Sequence, residues 1–227
     1  MPTWISRLLL LLAVVAAAPC RAEVIERLPA TADKVVALTF DACEGPKAPA
    51  LFDQSILATL EAEKVPATIF ATGLFARRNA AELARLSRLP EIEVENHSFD
   101  HPQHMERLDA AAIRREIDDT DAVIAAITGR QPRFFRFPAG SYDAAALATA
   151  EATGHKVVHW TFASGDPVRG LAPDHLSQWV LSKVRPGSIL IFHVNGRAPA
   201  TGQALPGILA ELRRRGYRFV RLDQALP

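Results

Sequence analysis

The sequence predicts an α/β protein built on a parallel sheet, and three observations carry that reading. Short apolar runs alternate with longer amphipathic ones, those short runs are almost continuously apolar, and polar residues recur at their carboxyl ends. Strands that are apolar throughout belong to sheets covered on both faces, and the helical segments between them fit parallel βα units. Seven strands and six helices are expected, a count that suits a barrel and a doubly wound sheet equally.

Residues 1–22 stand apart from that pattern. A short segment with one positive charge, MPTWISR, precedes the apolar run LLLLLAVVAAA, and Cys20 and Ala22 occupy the small-residue positions before a cleavage point after Ala22. This is the layout of a removed export signal, and the run is shorter than the ~20 residues a membrane span needs. The mature protein is therefore expected over 23–227, exported to a periplasm or secreted, with no stable membrane span. Loss of Cys20 leaves Cys43 without an intramolecular partner, so burial is expected for it, with metal binding as the other reading.

The first strand, 35–41, is VVALTFD, followed by a helix over 48–63. A strand at 67–72 precedes a helix at 77–88, and a strand at 91–96 precedes the best-patterned helix, 107–128. In that helix Leu108, Ala112, Ile113, Ile117, Val123, Ile124 and Ile127 fall near helical spacing, and Gly129 is its expected stop. Strands at 133–137, 156–162, 188–193 and 217–221 follow, with helices at 142–153, 173–184 and 203–215 between them. Arg213, Arg214 and Arg215 read as the solvated face of the last helix. The formal charge of +1 gives no basic surface for nucleic acid.

Chemistry in parallel sheets gathers at the carboxyl ends of the strands. Asp41, His97, Arg136, Asp166 and His193 all lie at or just past such ends. His97 and His101 in NHSFDHP are four apart, which on a helical turn points two imidazoles the same way, toward one metal ion. His155 and His159 share the spacing but run into a strand, where ~3.3 Å per residue holds them about 13 Å apart. Arg136 precedes the turn Pro138-Ala139-Gly140 and is placed to hold a carboxylate ionised. His193 suits a general acid, oriented by Asp166, with Asp41 as base. The sum is metal-assisted hydrolysis; no Gly-x-Ser-x-Gly elbow or glycine-rich phosphate loop occurs.

TFDA, HSFDH, RFPAG, ASGDP and LIFH, in that order, resemble the five motifs of the polysaccharide deacetylases, the NodB-homology group of carbohydrate esterase family 4. The resemblance runs over about residues 33–225. It implies a distorted (β/α) barrel of about seven parallel strands and removal of acetyl groups from an acetylated polysaccharide or oligosaccharide. By position it implies Asp41 as base, His193 as acid, Arg136 and Asp166 as their partners, and His97 and His101 as metal ligands. The metal implied is zinc, with cobalt or nickel as alternatives, and backbone near Ala139 and Gly140 would hold the oxyanion.

Three positions depart from the family pattern. Ala42 stands where the family has its third metal ligand; water, Cys43, Glu44, Asp100 or His104 are the replacements open from sequence, and strand alternation puts Cys43 on the side of Asp41. Ala139 and Pro167 stand where aromatics are usual, leaving Trp160 and Tyr142 as candidate sugar-stacking surface. These departures keep two alternatives open: a catalytically impaired glycan-binding protein, and an amidase or esterase with a non-sugar substrate.

Overall fold

The computed structural model describes residues 23–30 and 33–226; the expected export signal lies outside the described residues. All seven expected strands form: β1 (Val35–Ala42), β2 (Ala67–Ala71), β3 (Ile92–Asn96), β4 (Phe134–Phe135), β5 (Lys156–Val157), β6 (Ile189–His193) and β7 (Arg218–Val220). Every pairing among them is parallel, in the order β5-β4-β3-β2-β1-β6. The remaining strand, β7, pairs with Val35–Ala37 of β1, while Ala37–Asp41 of the same strand pair with β6. All eight residues of β1 are buried, which is why VVALTFDA shows no polar alternation.

The sheet curls into the distorted barrel that the resemblance implied. Between β5 and β6 irregular chain fills the seam: Ile25 bridges Val158, Arg27 bridges Ser188 and Phe162 bridges Leu190. The Thr161 hydroxyl donates to the Glu26 carbonyl at 2.6 Å and accepts from the Ile189 amide at 2.9 Å. The strand expected over 156–162 is consequently only two residues long. Beyond it the chain is spent on closing the seam.

The helices are α1 (Gln54–Ala62), α2 (Gly73–Arg78), α3 (Ala80–Leu86), α4 (Ala110–Thr128), α5 (Ala144–Glu151), α6 (Pro173–Lys183), α7 (Pro199–Arg214) and α8 (Leu222–Ala225). Where one helix was expected over 77–88, Asn79 ends α2 and precedes α3. Its side-chain amide donates to the carbonyls of Ala50 and Phe75 at 3.1 and 2.9 Å, the local competition that makes asparagine a helix interrupter. Asp109 caps α4 by accepting from the Ala112 amide, and Gly129 ends it in the left-handed conformation expected of a stop. The arginine run is solvated as expected: Arg213 pairs with Glu63, and Arg214 and Arg215 with Glu211.

Alternation along β1 decides what reaches the site. Val36, Leu38, Phe40 and Ala42 join the outer core beneath α1, α6 and α7. Val35 and Ala37 face the interior cluster with Phe70, Phe134, Val158 and Ile189. Period two then sends Asp41, and beyond it Cys43, toward the barrel mouth.

Candidate active site

Asp41 ends the inward row of β1, and Arg136 is its partner. The guanidinium is fully buried and donates three ways: to Asp41 Oδ1 at 2.6 Å, to the Val158 carbonyl at 3.1 Å and to the His159 carbonyl at 3.0 Å. Its charged end lies 4.0 Å from the Phe70 ring centroid. Burial alone would raise the Asp41 carboxyl, but Arg136, then His97 and His193, outweigh it and hold the carboxyl below its ordinary value. Asp41 is thus a buried carboxylate fixed in its ionised form.

His97 and His101 do come together, but not on a helical turn as their spacing implied. They sit on the loop after β3, where Ser98 and His101 both adopt left-handed backbone, φ 67° and 62°. That bend brings the rings to 5.0 Å between centroids at 70°. His97 Nδ1 lies 2.9 Å from the Arg136 carbonyl, and since a carbonyl only accepts, Nδ1 carries the proton. Its Nε2, 3.5 Å from Asp41 Oδ2, is buried and without a hydrogen-bond partner. Burial lowers the pKa of His97, and burial together with the charge of His97 lowers that of His101 to about 3. Both imidazoles are held neutral, the state that ligates metal.

The replacements left open for Ala42 separate clearly. Ala42 itself is fully buried in the outer core. Glu44 turns away to Arg78 at 2.7 Å, His104 stands exposed beside Glu106, and Asp100 lines a neighbouring surface recess. The ligand atoms of Cys43, His97 and His101 all lie within 4.8 Å of one another, and so do those of Asp41, Cys43 and His193. An orphaned buried nitrogen beside a second neutral imidazole and a thiol is a donor set that fits a divalent ion.

Across the site, His193 at the end of β6 pairs in register with Asp41. Its Nδ1 donates to Asp166 Oδ1 at 2.9 Å and its backbone amide donates to Asp166 Oδ2 at 2.7 Å. Burial would lower the His193 pKa, but the hydrogen bond and charge of Asp166 outweigh it and raise it. Asp166 is fixed in turn by Ser164 at 3.0 Å and by Thr201 at 2.9 Å. Neither residue was singled out from sequence. Ser164 had a local cue in ASGDP, two residues before the carboxylate; Thr201 sits at the start of α7 and had none.

These groups border one cavity of about 330 Å³, lined by Asp41, Cys43, His101, Ala139, Trp160, Asp166, Pro167 and His193 among others. Ala139 adopts left-handed backbone, φ 53°, in the turn after β4. Gly140 is not part of the lining; a Cβ there would sit 2.8 Å from the Trp160 indole, so the glycine makes room for the cavity wall. Of the two aromatic candidates Trp160 lines the cavity, while Tyr142 stacks on Phe137 at 5.5 Å. His155 and His159 are separate, as expected, the first on Asp121 and the second stacked on Trp160.

A sequence profile of the polysaccharide deacetylase family matches residues 29–158. The chain belongs to the polysaccharide deacetylase family. This deacetylase-family chain is 32% identical over 205 residues to the chitooligosaccharide deacetylase of Bradyrhizobium sp. (strain ANU 289), covering 83% of itself and 89% of that protein. It spans only half the length of the uncharacterized Bacillus subtilis protein YlxY, to which it is 29% identical over 72% of its own length. Among solved structures it superposes on the Bc1960 peptidoglycan N-acetylglucosamine deacetylase with a TM-score of 0.81, at 27% identity over 90% of this chain and 92% of that one. It is also similar to BA3943 of Bacillus anthracis, described as a pseudoenzyme of the family, with a TM-score of 0.76, 28% identity and coverage of 86% and 66%. The deacetylase barrel therefore carries both active and silent relatives.

Proposed function

We propose that this chain is an exported, metal-dependent polysaccharide deacetylase that hydrolyses acetyl groups, chiefly N-acetyl groups on amino sugars, from a glycan. The observation that carries this reading is the opposed pair at the barrel mouth: a carboxylate held ionised by Arg136, and an imidazole whose proton is favoured by Asp166, bordering one cavity. His97 and His101 would hold a divalent ion, zinc before cobalt or nickel, which when bound polarises the acetyl carbonyl and acidifies water. Asp41 accepts the proton of the attacking water as its oxygen bonds to the acetyl carbon. The amide of Ala139, with its turn completed by Gly140, steadies the oxyanion. His193 gives its proton to the leaving sugar nitrogen as the carbon–nitrogen bond breaks, releasing acetate and a free amine. Arg136 and Asp166 act by positioning the base and the acid.

The silent glycan binder is the second reading, favoured by Ala42 and by the pseudoenzyme among the structural relatives. Against it stands the acid–base pair, which binding alone does not require. Acetate release from N-acetylated chito- and peptidoglycan oligomers, measured beside metal content, separates the two. Wild-type turnover with one metal ion per chain, abolished by Asp41→Asn and by His97→Ala, is the expected result. Glycan binding without acetate release, with zinc, cobalt or nickel supplied, would establish the silent binder. Turnover confined to non-sugar acetyl amides or esters would move the substrate class instead.

A further inference from the structure

Cys43 is the group in this site that the acid–base scheme leaves unused. It is buried, it follows Asp41 by two residues and so emerges on the same side of the chain, and the side-chain amide of Asn195 donates to its carbonyl at 2.6 Å. Its sulfur lies within 4.8 Å of ligand nitrogens of His97 and His101, and the His97 nitrogen facing Asp41 is buried with no partner. Two imidazoles and a sulfur converging on that point account for the orphaned atom in a way that no hydrogen bond among the described residues does.

Resting on the deacetylase reading, we propose that Cys43 is the third protein ligand of the metal, so that this chain binds its ion through one thiolate and two imidazoles. Three protein ligands with a fourth position left open is the arrangement of catalytic zinc, and four-coordinate zinc places neighbouring sulfur and nitrogen donors about 3.5 Å apart. A thiolate also makes the site softer than an all-nitrogen-and-oxygen one and favours zinc over harder ions. Ala42 follows from the same geometry. Its buried methyl group carries no donor, so the vacancy at 42 is what a ligand at 43 would fill. The other role open to Cys43 is as a nucleophile, since Asp41 and His193 also lie within reach. That role and ligation are separated by their products.

The test uses cobalt-substituted wild-type protein, with Cys43→Ser, Cys43→Ala and His97→Ala alongside and circular dichroism to verify folding. A thiolate-to-cobalt charge-transfer band in the wild type, absent from folded Cys43→Ser, is the expected result. Zinc affinity should fall roughly a hundredfold or more in Cys43→Ser, beyond the 10–100-fold that loss of an outer-shell partner costs. Zinc should shield the wild-type thiol from alkylation. The wild-type spectrum needs no variant, so a misfolded mutant does not spare the proposal. Cobalt bound through His97 with no sulfur band, and zinc affinity indifferent to Cys43, would overturn this inference while leaving the deacetylase reading intact. An acetylated Cys43 trapped by mass spectrometry during turnover, with metal content unchanged in Cys43→Ala, would overturn it in favour of a nucleophile. No metal in the wild type under any loading would remove both this inference and the metal-dependent reading beneath it.

Discussion

Asp41 and Arg136 are a buried ion pair whose two halves depend on each other. Removing one charge of such a pair strands the other in a low-dielectric site, which typically costs about 3–5 kcal/mol. Arg136→Met is therefore expected to lower the unfolding free energy by about that amount in urea titrations. Arg136→Lys should fall between the two, because one ammonium cannot reproduce the fork that also serves the Val158 and His159 carbonyls. Under the proposed mechanism, the pH dependence follows from the shifts of the acid and the base. Asp41 must be ionised and its pKa is held below the ordinary carboxylate value, so the acidic limb of kcat/KM lies low. His193 must be protonated and its pKa is raised above 6.5, so the basic limb lies above that ordinary imidazole value. Asp166→Asn takes away the interaction that raises His193, and the basic limb should move to lower pH. A pH–rate profile of the two proteins checks the direction.

At the scale of elements, the barrel seam and the turn after β4 are the vulnerable places. Gly187 has φ 80°, and a Cβ there would stand 3.1 Å from the Leu28 carbonyl, against the segment that closes the barrel. Left-handed backbone costs a residue with a Cβ roughly 1–2 kcal/mol, so Gly187→Ala is expected to destabilise by at least that much in denaturant titrations. Gly140 has φ 67° and packs on Trp160, which forms part of the cavity wall. Gly140→Ala should displace the indole and reduce kcat/KM by roughly ten- to hundredfold, since displacements of about 1 Å near a reacting centre have effects of that order. The loop after β3 shows the same economy. Two left-handed residues, Ser98 and His101, bend the chain so that the two loop histidines, His97 and His101, face each other.

For the molecule as a whole, a metal that binds only the folded chain couples its site to global stability. At a free concentration 100 times its dissociation constant such an ion stabilises by about 2.7 kcal/mol. For a domain of this size 1 kcal/mol moves Tm by roughly 2–4 °C, so zinc should raise Tm by about 5–11 °C and a chelator should reverse it. His97→Ala should lose most of that response. The shift is global because the proposed ligands and their supports come from distant parts of the chain. His97 leans on the Arg136 carbonyl, Arg136 on the backbone after β5, and Asp166 on both β6 and α7.

Much of this was written locally. Short runs between amphipathic segments located every strand, although β3, IEVEN, and β7, RFV, are not continuously apolar. The groups that meet at the barrel mouth, Asp41, His97, His101, Arg136, Asp166 and His193, were legible because polar residues in parallel sheets collect at strand ends. Gly129 announced the end of α4 by the backbone conformation it alone adopts cheaply. Local pattern was misleading where local structure is not what brings atoms together. The four-residue spacing of His97 and His101 read as a helical turn, yet a loop delivers the pair. The run 156–162 read as one strand, yet most of it seals the barrel against Ile25 and Glu26, residues that pair with it from the far end of the chain. Ser164 and Thr201 became visible only once folding brought them to the carboxylate they support. The proposed chemistry was thus suggested by side chains that an alternating α/β pattern places at strand ends. Which side of β1 holds an acid, an alanine or a thiol was decided by tertiary packing, because only the closed barrel distinguishes an apolar layer beneath helices from an open mouth lined with imidazoles.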